Sequence, residues 1–298
     1  MSIEAVTVNH NSSLFAELML RTLHRYNPGV DVNVTVVDNN SCDDSERQSL
    51  LRYAKESGVD FNTSKFTVEP EQPNSHGEVL REFVLTHPNC SHYLFLDPDI
   101  YFLRSGTIAR LLEELAVEPD AFGIMPRCTW DGSTDHTPQP AVLDAKLRYY
   151  IQWPGFPWSS ERESQMRESQ MVPLVLQPRL HPHCALLENS RTLQDIAREV
   201  GFSVGCTFAP TGGFLWDTLG LATAIMRTHG LRHVVSQREM VFHFSAVSYD
   251  PRHLVEAKRD RCRSLLSVAR QEPRGSADVE GASELTRAVE QPDEPDAE

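Results

Sequence analysis

The fold is decided by the stretch Leu94-Phe95-Leu96-Asp97-Pro98-Asp99-Ile100-Tyr101-Phe102. Two carboxylates interrupt an otherwise apolar run at the point where a short buried strand is predicted to end. Because burying unpaired carboxylates costs several kcal/mol, this arrangement implies a counter-ion. The carboxyl end of a strand is also where open α/β sheets bind their ligands.

Pro98 determines how the two acids face. It pushes Asp97 toward extended geometry, and in an extended chain residues i and i+2 point to the same side. Asp97 and Asp99 are therefore predicted to face one cation, and a site of this kind suits Mg²⁺ or Mn²⁺ bridging to substrate phosphates. The alternative is that the acids form an Asx-Pro turn or cap the following helix.

β-rich runs and helical periodicity alternate around this stretch. Strands are predicted over 3–8, 32–37, 93–96, 121–125 and 241–245. Helices are predicted over about 15–26, 41–58, 75–85, 105–115, 193–200, 219–229 and 251–270. Such alternation is typical of a sheet covered by helices, so the predicted fold class is α/β.

Composition excludes several kinds of protein. With 40% hydrophobic and 23% charged residues the chain is globular, and its net charge of -14 is the wrong sign for holding nucleic acid on a basic face. The sequence has neither a basic leader with an apolar run nor 18 uninterrupted apolar residues, so we expect no transmembrane segment and a cytoplasmic protein, with peripheral membrane association left open. Residues 271–298 carry nine acids and two arginines, which predicts a disordered acidic tail.

The Asp97-Pro98-Asp99 stretch resembles the DxD motif of GT-A fold glycosyltransferases, which hold a nucleotide diphosphate sugar through a divalent metal. Other segments are similar to family-2-like members, and together the resemblance covers roughly residues 1–250. They are Asn9–Asn11, Val36-Val37-Asp38-Asn39-Asn40-Ser41, Asn74-Ser75-His76-Gly77 and Val241–Ser245. The resemblance implies a Rossmann-like mixed sheet flanked by helices, in one domain with an elaborated acceptor-side segment. Residues 1–127 would form its nucleotide-sugar-binding half and residues 128–270 its acceptor-binding half.

The resemblance also assigns roles to single residues. It implies that Mn²⁺ or Mg²⁺ is held by Asp97, Asp99 and His243, with Asp99 also catalytic because the ion stabilises the departing diphosphate. The implied donor-binding residues are Asn9, Asp38, Asn40, His76, Gly77 and Asp97. Asp38 would contact the nucleobase, and Gly77 would let the backbone approach the ligand. Taken alone, Asp38 and His76 equally suit helix starts, and a lone His243 is more often a core histidine.

Catalysis on the acceptor side is less defined by the sequence. Asp217 is the candidate base for an inverting reaction, because Thr211–Asp217 resembles an acceptor-side loop; a retaining reaction needs no such base. Family members often carry an Asp before Thr-Gly, where this chain has Ala209-Pro210. Further candidate bases are Asp131, Asp135 and Glu161. The segment His181-Pro182-His183-Cys184 is predicted to be an acceptor-side loop rather than a metal site.

An aromatic platform for the acceptor is predicted from the tryptophans Trp130, Trp153, Trp158 and Trp216. Flat rings pack against the apolar faces of sugars, although the same rings equally suit pinning a long insertion to the core. The function predicted is a metal-dependent glycosyltransferase that moves a hexose-type residue from a nucleotide diphosphate sugar to a hydroxyl acceptor, which is a glycan, a lipid-linked molecule or a small molecule.

Two other functions stay open at this point. One is a sugar-phosphate nucleotidyltransferase, but these usually carry a Gly-rich basic loop after the first strand, and Asn9-His10-Asn11-Ser12-Ser13 has neither Gly nor Lys. The other is a catalytically inert GT-A-like module that binds a nucleotide sugar, given the Asp missing before Thr211.

Overall fold

A computed structural model describes residues 2–42, 44–64, 76–130, 133–135, 142–143, 174–176, 179–203, 205–209, 212–244 and 252–271. These residues form seven helices: α1 (Ser13–Tyr26), α2 (Asp44–Ser57), α3 (His76–Thr86), α4 (Thr107–Ala116), α5 (Arg191–Glu199), α6 (Gly220–Thr228) and α7 (Arg252–Gln271). The first strands are β1 (Ile3–Asn9), β2 (Val32–Asp38), β3 (Asp60–Thr63), β4 (His92–Leu96), β5 (Ile100–Phe102) and β6 (Ala121–Trp130). The later ones are β7 (Ser133–Asp135), β8 (Val142–Leu143), β9 (Leu174–Leu176), β10 (Cys184–Glu188), β11 (Gly205–Ala209), β12 (Gly212–Trp216) and β13 (Arg232–His243).

Nine of the strands form one mixed sheet, in the order β3-β2-β1-β4-β10-β6-β13-β5 with β7 beside β6. The first four of these strands are parallel, whereas β10 runs antiparallel between β4 and β6. Strand β13 is parallel to β6 and antiparallel to β5. A second, four-stranded sheet has the order β11-β12-β9-β8. The predicted α/β class, a mixed sheet flanked by helices, is confirmed.

Both faces of the large sheet are buried at β4, in its interior. Along β4, Leu94 and Leu96 pack into one apolar cluster with residues of α1, α2 and α4, while Tyr93 and Phe95 pack into another with residues of α3, α5 and α6. Side chains alternate between the faces of a strand, so a strand covered on both sides has to be apolar throughout. The site acids follow directly on this buried strand.

The last helix, α7, packs against α1 beside this sheet. Cys262, Leu265 and Leu266 contact the apolar side of α1, and Arg270 donates two hydrogen bonds to the buried carboxylate of Glu17, at 3.0 and 2.7 Å. Burial alone would raise the pKa of Glu17, but its bonds from Arg270 and two further partners hold that pKa below its usual value. The basic charges of α7 thus serve, in part, to attach it to α1.

Several elements differ from the sequence-based prediction. Strands β5 and β10 were not expected, and Thr211–Asp217, predicted as a flexible loop, contains β12, which pairs with β11. Helix α4 begins at Thr107, after Gly106 in a left-handed conformation at φ 76°, whereas the prediction began it at about residue 105. Short apolar runs fit a strand or a buried turn equally well, so only long-range pairing identifies them as strands.

No helix within the described ranges combines the length and the apolar character that crossing a membrane needs.

Gly77, in the first turn of α3, lies against backbone. A Cβ there would sit 2.6 Å from the Cα of Ser203 and 2.8 Å from the carbonyl carbon of Phe202. Gly77 therefore allows a close approach to the backbone between α5 and β11. The packing of α3 in the site depends on this contact. The sequence had suggested a close approach to a ligand at Gly77, and that donor-binding role remains a prediction.

We expect Gly77→Ala to lower the free energy of unfolding by about 1–3 kcal/mol, the usual cost of overpacking. Gly29→Ala is the matched control, because a Cβ at Gly29 meets nothing within 4 Å, and it should change stability by less than about 0.5 kcal/mol. Urea titration of both variants measures the two values. Equal stability of the two would contradict the packing described.

Candidate active site

The acids and the predicted histidine meet at the carboxyl edge of the large sheet. Asp97 follows β4, Asp99 precedes β5, and His243 ends β13. Nε2 of His243 lies 3.1 Å from Oδ1 of Asp99 and 3.9 Å from Oδ2 of Asp97. One ligand atom from each of the three residues lies within 4.8 Å of the others. The two acids and His243 therefore lie close together, and their role as metal ligands remains a prediction.

Backbone pairing holds this arrangement in place. His243 stands opposite Ile100 in the antiparallel pairing of β13 with β5, and the Phe244 N–H donates to the Asp99 carbonyl at 2.9 Å. The rings of Tyr101 and Phe242 pack 4.8 Å apart in the same pair of strands. The position of His243 beside Asp99 is thus fixed by strand register and by apolar packing together.

Burial and neighbouring charges shift the pKa values of Asp97 and His243 in this cluster. The Asp97 side chain is 16% exposed and that of Asp99 8%, and burial raises the pKa of Asp97. Burial alone would lower the pKa of His243, but the charge and hydrogen bond of Asp99 raise it well above its usual value. Two carboxylates and one imidazole within bonding reach of a single point suit a divalent ion such as Mn²⁺. The donor set fits the metal that the sequence implied.

His76 lies next to Asp97 of the cluster. At the first position of α3, its Nε2 is 4.0 Å from Oδ1 of Asp97. Burial lowers the pKa of His76, and the nearby charges of Asp97 and Asp217 only partly offset this. Asp217 itself forms an ion pair with Arg179 at 2.7 Å. The structure thus brings His76 and Asp217 into the neighbourhood of the acids, as the sequence suggested.

The carboxylate of Asp217 already has two partners. Besides the Arg179 pair, its Oδ1 accepts from the N–H of Thr218 at 2.7 Å, and Arg179, itself buried, donates to the Thr218 carbonyl. Each carboxylate oxygen has two lone pairs, so acceptance of a further hydrogen bond stays open. A catalytic role of Asp217 remains a prediction.

A second polar group lies at the ends of β1 and β2. Nδ2 of Asn9 donates to Oδ1 of Asp38 at 3.0 Å, and Nε of Arg47 donates to Oδ2 of Asp38 at 2.8 Å. Both Asn9 and Asp38 are buried, whereas Asn40 is exposed with a positive φ of 60°. Arg47 was not singled out from the sequence, because nothing in its helical surroundings distinguishes it from a solvated charge. The donor-binding roles remain predictions.

The segment His181-Pro182-His183 lies beside the cluster and was missed as part of it. The His183 ring stacks on that of His243, 5.9 Å away at 22°, and the His183 carbonyl accepts from the N–H of Asp97 at 3.0 Å. Burial lowers the pKa of His183 to about 3, and it lowers that of His181 well below its usual value. Both rings are therefore neutral. The signal available was two histidines directly before the apolar run that forms β10.

The predicted acceptor residues are only partly described. Trp216 is half-buried at the end of β12, next to Asp217. Trp130 ends β6, and the backbone of Asp135 lies in β7. Trp153, Trp158, Asp131, Glu161 and the tail from residue 272 lie outside the described residues.

No family model and no curated protein matches the sequence. The mannosyltransferase PcManGT from Pyrobaculum calidifontis, in complex with GDP-Man and Mn²⁺, is 14% identical with a TM-score of 0.49, covering 97% of this chain and 68% of its own. S. aureus TarS 1–349 is 13% identical with a TM-score of 0.45, covering 90% and 71%.

The glucosyl-3-phosphoglycerate synthase from Mycobacterium tuberculosis is also similar. In complex with Mn²⁺, UDP-glucose and glycerol 3-phosphate it is 16% identical with a TM-score of 0.44, covering 91% of this chain and 81% of its own. Likenesses this loose carry no argument about the activity of this chain, which has to come from its own site.

We expect Asp99→Asn to weaken Mn²⁺ binding by about 100-fold or more. The substitution keeps the size of the side chain and an oxygen that accepts from His243, but it removes one charge, and even partners of a metal ligand are worth about 10–100-fold. Titration calorimetry measures the affinity. Asp60→Asn, at an exposed position of β3, is the control and should bind as the wild type does. Unchanged binding by Asp99→Asn would exclude the metal site.

Proposed function

We propose that the chain is a metal-dependent glycosyltransferase that uses a nucleotide diphosphate sugar. The observation that carries this proposal is the cluster of Asp97, Asp99 and His243, buried at the carboxyl edge of a mixed sheet. When bound there, a divalent ion would supply positive charge to the diphosphate as it leaves. Since an imidazole contributes to the donor set, we propose Mn²⁺ rather than Mg²⁺, which prefers oxygen ligands.

We place the nucleoside on the rest of this edge of the sheet. Asp38 ends β2, which is separated from β4 by β1 alone, so two strand spacings of about 4.8 Å each lie between it and the acids. The polar group of Asn9, Asp38 and Asn40 therefore lies on the same edge as the acids, at a distance that suits binding one extended ligand at both ends. We propose that the base binds at this group and the diphosphate at the acids.

The sugar and acceptor would lie on the side of His76 and Asp217. His76 lies near Asp97, and burial lowers its pKa, which favours the neutral ring. Its ring then offers one donor and one acceptor nitrogen for a sugar hydroxyl. We propose Asp217 as the group that accepts the proton of an incoming hydroxyl and Trp216 as an apolar wall for the acceptor.

The proposal is tested with a panel of sugar nucleotides in the presence and absence of Mn²⁺. Wild-type protein should release free nucleoside diphosphate from at least one of them only when Mn²⁺ is present, because slow transfer to water accompanies the reaction. Asp99→Asn should lower this release by about 100-fold or more, while Asp60→Asn leaves it unchanged.

Two outcomes would favour the competing functions. Formation of pyrophosphate from a nucleoside triphosphate and a sugar phosphate would identify a nucleotidyltransferase. Binding of a sugar nucleotide without release, with a range of hydroxyl acceptors present, would identify an inert binding module.

A further inference from the structure

The proton of the His181 ring can be placed from its contacts. The backbone N–H of His183 donates to Nδ1 of His181 at 3.2 Å. A nitrogen that accepts a hydrogen bond has a free lone pair, so the proton of this imidazole is on Nε2. Within the part of the chain that the structure describes, this Nε2–H has no protein acceptor, and the ring is half-buried. The hydrogen bond at Nδ1 orients the ring, and the Nε2–H is a donor that a ligand can use.

The position of this donor is set by the pairing of β10 with β4. Cys184 stands opposite Leu96, the last residue of β4, so the residues just before Cys184 extend past the end of β4. The bond from the Asp97 N–H to the His183 carbonyl ties this extension to the acids. The His181 ring then lies 6.2 Å from that of His243, edge to face at 72°. His181 therefore stands beside the group that the acids and His243 would bind.

The three neighbouring histidines already contact a backbone carbonyl or an acid of the cluster. His183 Nε2 is 3.3 Å from the carbonyl of Pro126, and its ring stacks on His243. His243 lies against Asp99, and His76 lies 4.0 Å from Asp97. Of these four rings, that of His181 is the one whose Nε2 has no contact with a backbone carbonyl or with an acid of the cluster among the described residues.

We propose that the Nε2–H of His181 donates a hydrogen bond to a phosphate oxygen of the leaving nucleoside diphosphate. This inference rests on the proposed function. A phosphate group held at the acid cluster would lie beside this ring, and its oxygens only accept hydrogen bonds. It therefore matches a ring nitrogen that can only donate. Because the charge on that oxygen grows as the bond to the sugar breaks, a donor held in place there stabilises the transition state more than the bound substrate.

Two substitutions test the roles of the two ring nitrogens separately. His181→Asn keeps an oxygen near the place of Nδ1, so it can still accept from the His183 N–H, but it has no donor at the place of Nε2. His181→Gln places an amide N–H near Nε2. Using the sugar nucleotide that the panel identifies, we expect His181→Asn to lower kcat for diphosphate release by about 100-fold with a small change in KM. His181→Gln should stay within about tenfold of the wild type.

Binding of UDP and GDP in the presence of Mn²⁺ gives a readout that needs no turnover. The diphosphate carries the charge that the donor is proposed to meet, so calorimetry should show its affinity lowered by about tenfold in His181→Asn and retained in His181→Gln. Binding of Mn²⁺ alone should be equal in all three proteins.

A spectroscopic measurement on the wild type avoids the question of whether a variant folds. In ¹⁵N-labelled protein, the His181 ring should show Nε2 protonated, and its Nε2–H resonance should shift when the diphosphate is added with Mg²⁺. An unshifted resonance on saturation with the diphosphate would overturn the proposal.

The outcomes distinguish this inference from the proposed function. If the wild type releases diphosphate and His181→Asn equals it in kcat and in diphosphate affinity, the inference is wrong and the function stands. If both variants lose Mn²⁺ binding, His181 acts through the metal site and the inference is also wrong. If the defect of His181→Asn appears in KM alone, the partner is a substrate hydroxyl and not the leaving phosphate. If the wild type neither binds nor cleaves any sugar nucleotide, the proposed function fails and the inference with it.

Discussion

The antiparallel pairing of β13 with β5 is the constraint on which the candidate site depends. It brings His243 to Asp99 from 144 positions away in the chain. Without this pairing, Asp99 would lose the imidazole that contacts it at 3.1 Å while still lying beside Asp97, which is costly in a low-dielectric environment. The strand register thus does more than close the edge of the sheet, since it gives the acids a partner that stabilises them before any cation is bound.

Main-chain hydrogen bonds hold both acids from opposite sides. The Asp97 N–H donates to the carbonyl of His183, which directly precedes β10. The Asp99 carbonyl accepts from the N–H of Phe244, which directly follows β13. The turn between the acids is therefore fixed by two strands that flank it in space and that come from late in the chain. Sites that are held in this way need little rearrangement to bind a ligand. The neutral ring of His183, stacked on His243, extends the same support to the histidine.

The sequence was sufficient for the residues that follow a buried strand and insufficient for those that come from a distant one. Asp97 and Asp99 were predicted to share a side because Pro98 restricts the local backbone, which is a property of neighbouring residues. His181 and His183 were missed because their place depends on β10 pairing with β4, some 90 residues away, and a five-residue apolar run does not reveal its partner. The sequence indicated that something approaches Gly77 closely. It could not indicate the backbone of Ser203, which comes from a distant part of the chain.

The distribution of charge explains why the acid cluster, rather than another polar group at this edge, suits a divalent cation. Asp38 is balanced by Arg47 and Asp217 by Arg179, in each case at 2.8 Å or less. Asp97 and Asp99 have no arginine or lysine partner among the described residues, and of the histidines around them His76, His181 and His183 all have a lowered pKa. His243 is the one histidine here whose pKa is raised, and the Arg179 charge, which also acts on Asp97, is already paired with Asp217. Two carboxylates therefore face one charge that has no other partner among these groups. A divalent ion that replaces the proton of His243 restores neutrality, because metal ligation requires the neutral imidazole and supplies two positive charges for the one that is lost.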